Sequence, residues 1–207
     1  MSDRSYSDGN WIDPTDAPCR LLVRLGPGDD PGPALALPAV AGLVLEVGEE
    51  AAVAAQIEAA HRAGRAAFLL DRPDLVRRLQ ADGVLLNRPG EVQAARGRLD
   101  RGELIGAVCG TTRHDAMVAG EDGADYVLFG SLGAPPPSGI DALVEQVAWW
   151  ADVAVLPGVA AGRLSVPDIE RLIEAGADFI LPATDGDAGQ LARLAVPFAA
   201  QAAGQQR

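Results

Sequence analysis

Two stretches, EDGADYVLFG (121–130) and EAGADFILPA (174–183), share one design: an acidic helix end, Gly, Ala-Asp, then a short apolar run. Glycine suits the left-handed residue that stops a helix, and the run that follows at once suits a strand. QADGVLL (80–86) is a shorter version of the same junction. A helix-to-strand junction that recurs along a chain marks repeated βα units.

The flanking sequence keeps this rhythm. From residue 19 to about 184, β-like runs alternate with helical stretches: CRLLVRL (19–25), GLVLEV (42–47), AAFLL (66–70), GVLLN (83–87), ELIGAVC (103–109), DYVLFG (125–130), VAVLPG (153–158) and DFILPA (178–183). Short apolar runs bounded by turn residues, with helices between, predict parallel strands buried on both faces. Their starts lie 17 to 28 residues apart, the span of a βα unit. Eight such units predict the α/β class and a compact (β/α)8 TIM barrel, with an open doubly wound sheet as the alternative. Between the first two runs, GPGDDPGPALALPAVA (26–41) is dense in Pro and Gly, which predicts a shortened first helix. The expected organisation is a flexible N-terminal leader, 1–18, and one barrel domain, 19–203.

Charge narrows the partners. The chain carries 29 acidic and 17 basic residues, a formal net charge of -12. That field disfavours nucleic acid and anionic membrane surfaces. Every base is an arginine, which removes Schiff-base and general-base lysines from the candidate chemistries. No apolar stretch approaches the ~20 uncharged residues of a membrane span, and no basic-then-apolar secretory signal opens the chain. The expected address is cytoplasmic. The two cysteines, Cys19 and Cys109, give neither a disulfide framework nor metal-ligand spacing.

In a barrel of this kind, chemistry belongs at the C-terminal ends of the strands. Those ends supply Arg24, Glu46, Asp71-Arg72, Asn87-Arg88, Cys109, Ser131, Gly158 and Thr184-Asp185. Asp71 is a candidate ligand for Mg²⁺, against a helix cap or an ion pair with Arg72, Arg24 or Arg88, the favoured reading. The turns VLPGVAAG and LPATDGD offer Gly158, Ala160, Ala183 and Thr184 as backbone donors to a phosphate, assisted by Arg72 and Arg88. Asp185 and Asp187 oppose an anion there. His61 and His114 have no visible triad partner and are expected on the surface. Trp149-Trp150 sends one indole inward and leaves the other a candidate partner surface.

Three segments, ADGVLLNRPGEV, LIGAVCGTTRHDAMVAGEDGADYVLFG and VAVLPGVAAGRLSVPDIERLIEAGADFILPA, together resemble the thiamine-phosphate synthase family with its thiazole tautomerase relatives. The resemblance covers roughly residues 65–184 and implies a (β/α)8 barrel. It also implies a transferase that joins a pyrimidine pyrophosphate to a thiazole phosphate with Mg²⁺. The implied site is altered here. The family's Gln-x-Arg-x-Lys on strand two reads Val44, Glu46 and Gly48, and its Asn-Asp pair reads Leu70-Asp71. The strand-four region reads Leu85, Asn87 and Arg88, and the next acid position is Gly90 beside Glu91. The strand-five serine reads Val108, and the strand-seven double glycine reads Pro157-Gly158. The lysine loop after strand six is SLGAPPPSG (131–139), with neither lysine nor threonine. The expectation is a family member with a degenerate pyrophosphate site and little or no synthase activity, binding a small molecule at the barrel mouth. An active synthase, or a tautomerase using Cys109 with Asp71 on a metal, is the alternative. Homodimerisation is left open.

Overall fold

The computed structural model describes residues 18–184 and 186–204. The expected leader and Asp185 fall outside the described residues, apart from Pro18. Eight parallel strands close into a barrel in chain order. They are β1 (Arg20–Leu25), β2 (Val40–Leu45), β3 (Ala66–Leu70), β4 (Gly83–Leu86), β5 (Leu104–Gly110), β6 (Tyr126–Gly130), β7 (Gly158–Gly162) and β8 (Phe179–Pro182). The outer ring holds α1 (Gly32–Leu35), α2 (Glu50–Arg62), α3 (Val76–Leu79), α4 (Val92–Arg96), α5 (Arg113–Glu121), α6 (Gly139–Val153), α7 (Val166–Glu174), α8 (Ala188–Leu194) and α9 (Val196–Gly204). The barrel was expected, and so was the four-residue α1. The shortness of α3 and α4, four and five residues, was not.

The pleat sorts the strand residues into two layers. Leu22, Val44, Phe68, Leu85, Tyr126, Leu128, Val159, Phe179 and Leu181 fill the barrel interior. Leu21, Val23, Leu43, Leu45, Ile105, Ala107, Phe129 and Ile180 face the helices. Space inside is tight. A Cβ on Gly106 would lie 2.1 Å from the ring of Tyr126, so this glycine makes room for the largest interior side chain. Tyr126 in turn meets Phe68 edge-on, with centroids 5.6 Å apart.

The repeated junction has a physical basis at both of its ends. Gly123 and Gly176 take φ of +100° and +90° just past the ends of α5 and α7, the left-handed stop expected for them. The aspartate that follows reaches sideways to the previous strand. Asp82 accepts from the Ala67 N–H at 2.7 Å, Asp125 from Ile105 at 2.7 Å, and Asp178 from Gly158 at 2.7 Å. Each even strand from β4 to β8 is thereby tied to the start of the odd strand before it, where the ladder would leave an amide unpaired.

One strand differs from expectation. β7 is GVAAG (158–162), and the VAVLPG run expected there is the end of α6 and a loop, with Val155 91% exposed. The cause is crowding. A Cβ on Gly158 would stand 3.0 Å from Trp150, and one on Gly162 would stand 3.2 Å from Pro136. Small residues are needed at this wall, so the branched apolar run belongs elsewhere. Among the described residues no helix is long and apolar enough to cross a membrane.

Candidate functional site

At the C-terminal rim, the ends of β1 to β4 place polar and charged groups in two pairs. Arg24 at the end of β1 pairs with Glu46, just past β2, at 3.3 Å. Asp71 follows β3 with φ +55°, a left-handed conformation uncommon for a residue with a side chain. Its Oδ1 accepts from the Asn87 backbone N–H at 2.7 Å and its Oδ2 from the Asn87 side-chain amide at 2.6 Å. The carboxylate is a clamp between the loops after β3 and β4. It is neither the helix cap nor the arginine pair that the sequence favoured.

The loop after β6, SLGAPPPSG, is held in place from within and by Arg163 after β7. The Ser131 hydroxyl donates to the Ala134 carbonyl at 2.9 Å and accepts from the Ala134 N–H at 3.1 Å. Arg163, directly after β7, donates its backbone N–H to the Ala134 carbonyl at 2.9 Å, and its guanidinium reaches the Gly133 carbonyl at 3.4 Å. The Arg24 guanidinium lies 3.5 Å from where a Cβ on Gly133 would stand. One rim cation, Arg163, therefore holds the neutral proline loop, and a second, Arg24, lies beside it. Arg163 escaped the sequence reading because the strand before it was placed five residues too early.

The other expected contributors are placed as follows. Gly158 opens β7 at the N-terminal end of the barrel, far from the rim, with its N–H on Asp178. The expected equivalence of Pro157-Gly158 with a rim double glycine thus gives way to Gly162-Arg163. Ala160 lies mid-strand and faces the helices. Ala183 is at the rim, but its N–H donates to the Gly162 carbonyl at 2.8 Å. Thr184 is buried, and its carbonyl accepts from the Asp187 N–H at 2.8 Å. The start of α8 is capped by Asp187, whose Oδ1 accepts from Gly189 and Gln190 at 2.8 and 3.0 Å. Arg72 forms a two-pronged pair with Asp74, and Arg88 pairs with Glu91 at 2.6 Å. Neither converges with the other on a common point.

Cys109 is buried against the helix layer and does not face the mouth. Burial, with Asp115 adding to it, pushes its thiol up to about 12, so it is a poor proton donor or nucleophile at neutral pH. The residues present do not preform a Mg²⁺ site. Both Asp71 oxygens are occupied by Asn87, Glu46 is engaged by Arg24, and no cluster of three or more potential ligands occurs among the described residues.

Comparison with known proteins agrees with this architecture. The family model described as thiamine monophosphate synthase matches residues 46–182. A thiamine-phosphate synthase of Rhodospirillum centenum is 36% identical over 179 residues, 78% of this chain and 86% of that protein. One from Erythrobacter litoralis is 42% identical over 139 residues, 64% of this chain and 65% of its own length. Among solved structures, thiamine phosphate pyrophosphorylase from Pyrococcus furiosus superposes with a TM-score of 0.72 at 19% identity, covering 87% of this chain and 96% of that one. On the matched span and the closed barrel together, the chain belongs to the thiamine monophosphate synthase family.

Proposed function

We propose that this family member has lost the pyrophosphate-dependent coupling reaction and binds a small neutral or cationic molecule at its barrel mouth, in the thiamine-related chemistry of its relatives. The observation that carries the reading is the Arg24–Glu46 pair at 3.3 Å: a carboxylate stands where the family resemblance implies a cation. Charge makes the argument quantitative. A pyrophosphate leaving group requires several cations or a metal with acid ligands. Here the rim arginines are committed to Glu46, Asp74, Glu91 and the β6 loop, and the chain contains no lysine. Each charge-assisted contact to a charged group contributes roughly 1.5–3 kcal/mol, so losing three or four removes several orders of magnitude in rate. An acidic mouth favours a thiazolium or an aminopyrimidine over a polyanion.

A second reading, a working synthase with a divergent site, is favoured by the naming of relatives at 36–42% identity as thiamine-phosphate synthases. Coupling assays with both phosphorylated precursors and Mg²⁺, wild type beside Asp71→Ala, separate the two. The proposal expects no turnover above the uncatalysed rate in either protein, together with heat of binding for thiamine or one of its unphosphorylated precursors. Turnover in the wild type that disappears in Asp71→Ala would establish the second reading instead.

A further inference from the structure

We propose that a cavity between α5 and α6, outside the barrel mouth, is a binding site for a small oxyanion of the phosphate type. The cavity has a volume of about 110 Å³ and is walled by the loops after β5 and β6 and the first turns of α6. Arg24, Glu46, Asp71 and Arg163 do not line it. The cavity therefore shares the β6 loop with the barrel mouth but none of the mouth's charged groups.

Three kinds of donor converge there. The first is the start of α6, a fifteen-residue helix whose N-cap, Ser138, makes no side-chain capping bond. The amides of Ile140, Asp141 and Ala142 have no partner outside the helix among the described residues, and of these residues Ala142 lines the cavity beside Ser138 and Gly139. By contrast, α7 carries a complete capping box, and α8 is capped by Asp187. Asp141, the acid of that first turn, is drawn to Arg171 of α7 at 2.7 Å, which leaves the positive end of the helix less compensated. The second donor is Arg113, which lines the cavity with its guanidinium 4.8 Å from the Trp149 ring centroid and no carboxylate paired to it among the described residues. The third is Gln146, one turn further along α6. It lines the same cavity, is only 6% exposed, and its Nε2 is buried without a hydrogen-bond partner. A buried amide donor left unpaired costs stability, and beside a cavity of one-anion size an oxyanion supplies the missing acceptor. Thr111 adds a hydroxyl to the wall. Helix amides, a guanidinium and a side-chain amide are the donor set that recognises phosphate. Glu145 is the one carboxylate lining the cavity, and it sets an upper limit on affinity.

Calorimetric titration with inorganic phosphate, against chloride at matched ionic strength, tests the site directly. The wild type should show saturable binding, with a change in tryptophan fluorescence because Trp149 lies under Arg113. Arg113→Gln should weaken the affinity roughly tenfold, the loss of one charge-assisted contact. Glu145→Gln should tighten it. Gln146→Leu should abolish the response while raising the melting temperature in phosphate-free buffer, since the variant buries no unpaired amide. The melting measurement also shows that the variant folds. Absence of saturable binding in the wild type, or equal affinity in wild type and Arg113→Gln, would overturn the assignment.

Discussion

Asp82, Asp125 and Asp178 show how a single side chain converts a sequence repeat into barrel closure. Each takes the amide of the first or second residue of the neighbouring strand. Asp125 is also paired with Arg96, and Asp82 with His61 at 2.9 Å. Among the described residues Asp178 has no such side-chain partner, and burial holds its carboxyl above the ordinary value of 3.8, offset in part by the Gly158 N–H. The folded protein therefore binds this proton more tightly than the unfolded chain. Its contribution to stability is largest at low pH and is lost as pH rises from about 3.8 through the raised folded value. Asp74 behaves in the opposite sense, because Arg72 holds its carboxyl low and its contribution is lost as pH falls. That pair is exposed and weighs little. The measurable quantity is the difference between wild type and Asp178→Asn in urea unfolding. Wild type should gain on the variant at pH 4 relative to pH 7, and an unchanged difference between the two would contradict the account.

At the scale of elements, legibility followed side-chain bulk. The junctions at Gly123 and Gly176 were readable because a left-handed glycine ends each helix and a strand begins three residues later. β7 was unreadable for the opposite reason: Gly158, Ala160, Ala161 and Gly162 have almost no strand propensity, and packing against Trp150 and Pro136 alone makes them a strand. That one displacement moved Gly158 to the rim on paper and concealed Arg163. Asp71 failed differently. Its chemistry was visible, but the choice of Asn87 as partner depends on a left-handed backbone that no local pattern announces. The shortest junction still carries a cost. α3 ends on Gln80 at φ +57°, where the two longer junctions have glycine. Gln80→Gly should stabilise the fold by about 1 kcal/mol by relieving the left-handed penalty. Chemical denaturation reads this directly, and a loss of stability would mean that the Gln80 side chain contributes more than its backbone costs.

For the whole molecule, closure is what distinguishes a barrel from the open sheet that the same strand rhythm allows, and it rests on the seam between β1 and β8. Only two residue pairs define that seam, Arg20 with Phe179 and Leu21 with Ile180, whereas β1 and β2 share five pairs and β5 and β6 share four. β8 itself is four residues long, and Pro182 at its end has no amide to donate. Local opening begins where the fewest ladder bonds must break, so the seam should be the first part of the barrel to admit solvent. The Arg20 amide, which bridges to the Asp178 carbonyl at 3.1 Å, reports on it. The Asp125 amide, on the Ile105 carbonyl at 2.7 Å, reports on the opposite wall. In native-state hydrogen exchange, Arg20 should exchange well before Asp125 and before the central amides of β5 and β6. Equal protection at both sites would instead mean that the interior layer of Phe68, Tyr126 and Phe179 opens as one unit. The seam would then be as strong as the walls despite its shorter ladder.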